Sequence, residues 1–575
     1  MNADERPHQA DADAAPEAGA VEAAAADASA AVAKAGAHAG VARASWGDTL
    51  SRRRIAFILV SIMLGMLLGA LDQTVVGTAM PRVIADLNGM QHYAWVTTGY
   101  LLASAASMPI WGKLSDAFGR RRFFIIGMAL FLVGSALCGQ SRSMTELIAF
   151  RGIQGLGSGA MMPINQAIIG DIFPPATRAK WSGLMMSVFG FASIVGPIFG
   201  GWITDTIGWR WTFYVNLPVG AIGIVLALMA LPHHQKMRKH VIDYAGATLI
   251  VVAAVTLLLA FSWAGSQYAW SSPQVLGLIA FSVVTWVVFY LWEMRAEEPI
   301  INPRLFTNSI FSVSVTTSAL QSAAFFGSIT FLPLFVQGVM GKTATNSGTI
   351  LMPMMISHIV VSMGWGWMLS RWGRYKVVSV FGFCVMAVGA FLLSRLTMGS
   401  SSGALVAFMV LFGVGFGFTL GTSTVVVQNQ YPTHRLGEVS AALQFFRSLG
   451  GTIGLAVMGS LLNARFASTL AASLPAQLKS IATDPATANQ VNNPQVLLSH
   501  EAVTRLTGLF SKFGDQSQAL LAQFTDAVRH SLESAIGEVF FVMMGLLVFA
   551  VIVVFFLKEV PLRRSHSEIA GEELR

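Results

Sequence analysis

Charge is the scarcest commodity in this sequence. Only 11% of its 575 residues are Asp, Glu, Lys or Arg, while 54% are apolar. So little charge cannot clothe a water-soluble surface, and a mean hydropathy of +0.62 points to a polytopic membrane protein. Cysteine is nearly missing. Cys138 and Cys384 lie inside apolar runs with no CxxC or Cys/His spacing, so no metal site and no disulfide framework are expected. There is no GxxxxGK[ST] phosphate loop, which argues against an ATP-driven pump. No paired carboxylates, Ser/His/Asp set or ligand cluster share one membrane layer, which leaves a membrane enzyme or receptor as a remote reading. The net charge of +8 comes from residues scattered in short loops, so a nucleic-acid partner is not expected.

What the chain has instead is long apolar runs. They lie near 55–78, 93–113, 123–140, 145–172, 181–204, 211–231, 242–263, 273–292, 309–336, 347–370, 376–396, 403–427, 437–463 and 537–557. Each is long enough to cross about 30 Å of hydrocarbon as a helix. Fourteen crossings with both termini inside put 21 basic residues on the cytoplasmic side, against five in the short external loops. Residues 1–50 are Ala-rich with almost no large apolar side chains, which predicts a disordered cytoplasmic tail without a signal-peptide pattern. Residues 464–536 form one long external loop, closing with Leu520, Phe524, Val528 and Leu532 at four-residue spacing. That spacing predicts an amphipathic helix, packed on the outer face or lying at the lipid surface.

One short motif occurs twice. Gly112-Lys-Leu-Ser-Asp-Ala-Phe-Gly-Arg-Arg-Arg122 is echoed by Gly366-Trp-Met-Leu-Ser-Arg-Trp-Gly-Arg-Tyr-Lys376, with Gly112, Gly119 and Arg120 matching Gly366, Gly373 and Arg374. A repeated charged turn implies two related halves. Gly112–Arg122 resembles the helix 2–3 loop motif of the major facilitator superfamily. Arg151–Gly159 is similar to its helix 4 motif, and Gly190–Gly201 to its helix 5 antiporter motif. Leu71–Val76 and Trp209–Pro218 resemble the 14-helix drug:proton antiporter branch.

The expected fold is all-α and polytopic: two six-helix pseudo-symmetric bundles plus two inserted helices. The expected divisions are the tail at 1–50, a first bundle at 51–232, the insert and its connectors at 233–308, a second bundle at 309–558 and a cytoplasmic tail at 559–575. The resemblance implies proton-coupled efflux of hydrophobic or cationic drug-like compounds, with no cofactor beyond the proton gradient. The expected setting is a monomer in the lipid bilayer of the cell membrane. A lipid or a metabolite as cargo is the alternative.

Asp72 is the most informative residue. A carboxylate deep in the first helix is costly in hydrocarbon and is a functional hypothesis by default. Arg151, on the fourth helix, lies at a depth that suits a pair with it. The resemblance gives both a role in proton coupling. Gly112, Asp116, Gly119, Arg120 and Arg121 are expected to latch the cytoplasmic side. Ala117 stands where the family usually has a basic residue and Ser370 replaces the second-copy acid, so a latch is expected only in the first half, and there in weakened form. Gly196, Pro197, Gly200 and Gly201 are expected at a helix contact that parts as the halves rock. The candidate cavity residues are Gln73, Gln154, Asn165, Asn216, Gln321, His358 and Gln444. Arg447 lies toward the cytoplasmic end and is not assigned to cargo.

Overall fold

The computed structural model describes residues 50–87, 93–232, 242–265, 267–342, 344–474 and 517–562. In hydrocarbon a backbone must satisfy its own hydrogen bonds, so each apolar run becomes a helix. Six form the first bundle: α1 (Arg52–Leu87), α2 (Tyr93–Phe118), α3 (Arg120–Gln140), α4 (Met144–Ile172), α5 (Pro175–Thr206) and α6 (Asn216–Ala230), entered through one turn at Trp211–Tyr214. Then come α7 (Tyr244–Trp263) and α8 (Pro273–Glu293). The chain continues with α9 (Ser309–Leu334), α10 (Ala344–Trp372), α11 (Tyr375–Ser394), α12 (Ser402–Gln428), α13 (Leu436–Ser473) and α14 (Ser517–Phe555). Among the described residues no strand forms, and eleven segments are long and apolar enough to cross a membrane. Three helices fall outside that set, α2, α4 and α5, and they carry Asp116, Arg151 and Arg178.

The helix starts follow local chemistry. Ser143 accepts from the Glu146 amide at 3.2 Å, Asp243 from Gly246 at 2.8 Å and Asn308 from Ile310 at 2.9 Å, each satisfying a first-turn donor. The two charged turns reverse on glycines with φ of 103° at Gly119 and 68° at Gly373, a backbone region closed to most other residues.

The two halves are built alike. In α4, a Cβ on Gly155 or Gly159 would strike α2, and one on Gly157 would strike α3. In α12, a Cβ on Gly413 or Gly417 would strike α10, and one on Gly415 would strike α11. Alternating glycines thus seat one helix between two others, the close packing that small residues permit in membranes. The α7–α8 pair lies across both bundles. Ile250, Ala254, Leu258 and Phe289 share one buried cluster with Leu102 and Met108 of α2 and with Val439, Ala442 and Phe445 of α13.

The external segment differs from its expected extent. α13 runs on to Ser473 and α14 begins at Ser517, so the two ends of the 464–536 stretch are helical and its middle lies outside the described residues. Leu520, Phe524, Val528 and Leu532 form the first turns of α14 rather than a separate helix, all buried in the cluster that holds Phe466 and Leu470 of α13. Their four-residue spacing makes a stripe that a neighbouring helix covers.

Candidate functional site: a neutralised charge pair and a latch between the bundles

Asp72 on α1 and Arg151 on α4 form a direct ion pair, each 1% exposed. Burying two charges is tolerable only when the remaining polar atoms are also satisfied. Gln154, one turn beyond Arg151, donates to Asp72 Oδ1 at 2.8 Å and accepts from the guanidinium at 2.8 Å. Asn216, at the start of α6, donates to Asp72 Oδ1 at 3.4 Å and to Ser135 Oγ at 3.0 Å. Arg151 Nε donates to the Val96 carbonyl at 3.2 Å, and the guanidinium lies 4.1 Å over the Tyr100 ring. Tyr100 is held by its own hydroxyl bond to Ser158 at 2.7 Å.

Two residues expected in the cavity, Gln154 and Asn216, therefore belong to the charge cluster. Asn165 donates to the Ile62 carbonyl at 3.3 Å and ties α4 to α1, while Gln73 is exposed. Tyr100 and Ser135 escaped the sequence reading. A tyrosine and a serine in apolar helices carry no distinguishing spacing, and their role emerges only from α2 and α3 flanking α4.

At the charged-turn end, Arg120 is a hub. It pairs with Asp116, with Asp171 at 3.0 Å and with Ser115 Oγ at 3.0 Å, and it donates to the Thr433 carbonyl at 3.4 Å. Asp116 crosses to the second bundle. Its carboxylate accepts the amides of Gly437 at 3.0 Å and Glu438 at 2.5 Å, capping the free end of α13. Gly112 makes the approach possible, since a Cβ there would strike Ala441 and the Gly437 carbonyl. Beside this latch Arg178 of α5 reaches Gln428 of α12 at 3.5 Å, and Gln428 donates to the Gln166 carbonyl at 3.3 Å. The bundles are thus joined at this end by six helices.

Arg121 does something else. It donates to the carbonyls of Leu231 at 3.1 Å and Leu228 at 2.6 Å, closing the end of α6 inside the first bundle. Its place in the expected latch passes to Asp171, an acid that reads in sequence as an ordinary helix-end residue. In the antiporter-like stretch, Gly196 lies against Thr74 of α1 within one bundle, whereas Gly190 faces Ile359 of α10 across the two. A Cβ at Gly201 would meet nothing within 4 Å, Gly200 is buried, and Pro197 lies within α5.

In the second bundle Gln321 of α9 donates to Thr419 of α12 at 2.5 Å. His358 of α10 packs edge-on to Phe416 at 4.7 Å, and Gln444 accepts from Arg447 at 3.1 Å.

Two helical bundles, one capping a helix of the other at one end, with opposite charges cancelled inside the first, are the construction of a membrane transporter. The chain belongs to the Major Facilitator Superfamily, whose profile matches residues 62–455. It is 39% identical over 529 residues to the multidrug transporter protein MdtP of Bacillus subtilis, spanning 90% of this chain and 95% of that one. It is 38% identical over 415 residues to multidrug resistance protein 3 of the same species, spanning 72% and 81%. Among solved structures, the human organic anion transporter MFSD10 aligns with a TM-score of 0.57 at 13% identity, over 88% of this chain and all of that one. The proton:xylose symporter XylE aligns with a TM-score of 0.56 at 13% identity, over 90% and 100%. At those identities the likeness concerns the fold alone.

Proposed function

We propose that the protein exports hydrophobic or cationic drug-like compounds in exchange for protons by alternating access, as a monomer in the cell membrane with both termini cytoplasmic. The names of the bacterial relatives support drug efflux. The observation that carries proton exchange is the buried Asp72–Arg151 pair with its Gln154 and Asn216 braces. Protonating Asp72 removes the charge that compensates Arg151 and leaves a buried cation, a penalty of about 3–5 kcal/mol. The protein relieves that penalty by rehydrating the cluster, and rehydration requires helices to move. Proton uptake and helix motion are then one event.

With the charged turns cytoplasmic, the latch closes the inner side and the structure faces outward. In that geometry Asp72 is paired with Arg151, and a proton arriving from outside would break the pair. Rocking the bundles about the α5–α10 contact breaks the Asp116 cap and opens the inner side, where the proton leaves and cargo enters.

Inverted vesicles loaded by a pH gradient test this, with ethidium as cargo. Asp72→Asn is expected to abolish gradient-driven accumulation while cargo binding stays within about threefold, because the amide fills the same space without titrating. Accumulation by Asp72→Asn as steep as the parent's sinks the proton assignment.

A further inference from the structure

Arg447 is a partly buried cation with no carboxylate partner among the described residues. Its guanidinium donates to Gln444 Oε1 at 3.1 Å and to the Leu420 carbonyl at 3.5 Å, and its Nε is buried without a partner. The first bundle's buried arginine, by contrast, is matched by Asp72. A guanidinium whose Nε is shielded from water and unpartnered gains from any anion that reaches it.

Other unsatisfied atoms lie on the helices packed against α12 and α13. Leu420, whose carbonyl it touches, follows Thr419, the residue bonded by Gln321. Gln321 Oε1, Ser318 Oγ and both ring nitrogens of His358 are buried with no partner. Ser318 and Gln321 are at most 1% exposed and His358 is 4% exposed, so bulk water does not serve them. One turn from Thr419, Phe416 stacks on Phe325 at 4.3 Å and abuts His358. Three helices, α9, α10 and α13, thus bring unsatisfied polar atoms to the helix α12 that carries one of the two stacked rings. Arg447 and Gln444 are only partly buried, which leaves this group an approach. Counting from the charged end, Arg447 is eleven residues into α13 and Gln321 twelve into α9, roughly 16–18 Å deep at 1.5 Å per residue. Arg447 therefore sits at nearly the same count from the charged end as Gln321.

We infer that this constellation is a cargo subsite for the carboxylate of an otherwise apolar compound, so that the transported set extends beyond cations to monoanionic amphiphiles. The carboxylate takes Arg447, with the Ser318 hydroxyl and a His358 N–H as further donors. Gln321 Oε1 accepts from a hydroxyl or amide on the cargo, and the apolar body lies along Phe325 and Phe416. Charge-assisted bonds to an arginine are the strong ones, so affinity here depends on the anion. The inference rests on the exporter reading above and names part of its cargo.

Binding in lipid nanodiscs tests it without a pH gradient, so that loss of proton coupling and loss of this subsite stay distinguishable. The probes are 11-(dansylamino)undecanoic acid, its methyl ester and ethidium. The wild-type protein is expected to bind the acid at least about tenfold more tightly than the ester. Arg447→Gln is expected to erase that preference while ester and ethidium affinities stay within about twofold, and Arg447→Lys to restore part of it. Equal affinity of acid and ester for the wild-type protein, the result of a polar pocket filled by water alone, overturns the proposal whatever the variants do. Retention of the full preference by Arg447→Gln overturns it as well.

Discussion

The two charged turns share a backbone and divide in what they hold. Both end a helix on a positive-φ glycine, Gly119 and Gly373. The first grips the opposite bundle: Asp116 caps α13, and Arg120 ties Asp116 to Asp171. The second turns inward on its own half. Arg371 lies 3.9 Å over Trp367 of the same helix, and the Tyr375 hydroxyl donates to the Lys558 carbonyl and accepts the Val560 amide, both at 2.7 Å. The starts of α13 and α5 differ too. α13 offers two free amides, whereas α5 starts at Pro174-Pro175 and its Thr177 amide is taken by the Pro174 carbonyl at 2.9 Å. A duplicated motif has kept its shape in both copies and its inter-bundle grip in one.

That asymmetry breaks most sharply at Gly112. Gly112→Val places a branched side chain where Ala441 and the Gly437 carbonyl now sit, so the bundles cannot close. Ethidium transport is expected to fall about 100-fold or more, with cargo affinity in detergent little changed; near-normal transport would show that this approach is not needed for turnover. Arg120→Ala comes next. It leaves Asp116 and Asp171 facing each other without their shared cation and is expected to slow transport about tenfold, whereas Arg371→Ala costs less than about twofold. Equal losses from the two substitutions, measured as initial rates in the same vesicles, would make the turns equivalent after all. The smallest effect is expected from Ser370→Asp, which restores an acid to the second copy. With α5 offering no pair of free amides, its rate is expected to stay within about twofold of the parent. A clear gain would mean that the acid alone, and not the helix end it meets, was missing.

Much of this was legible in the primary structure. The fourteen runs became helices because lipid permits no other use of an apolar backbone. Asp72 and Arg151 stood out as charges in apolar surroundings, and their depths along two antiparallel helices placed them together. The second-copy substitution of Ser370 already implied a one-sided latch. What stayed hidden was how polar residues divide among neighbours. Gln154 and Asn216 read as cavity residues because a helix position does not reveal which of three adjacent helices an amide will face. Arg121 read as a latch residue because three consecutive arginines differ only in helical phase, and that phase sends Arg120 to the second bundle and Arg121 to the end of α6. Arg447 read as remote from cargo for its place toward the charged end of its run, and the sequence does not show which side chains it meets.

The contact between Asp116 and α13 also has a bearing on how the protein is made. Its two partners are 321 residues apart, roughly 15–60 s of ribosome time at 5–20 residues per second. During that wait the acid is not stranded, because Arg120, itself held by Asp171, already pairs with it within the nascent first bundle. The early half can settle in the bilayer with its charges in order, and the late half docks onto a carboxylate that is already in position.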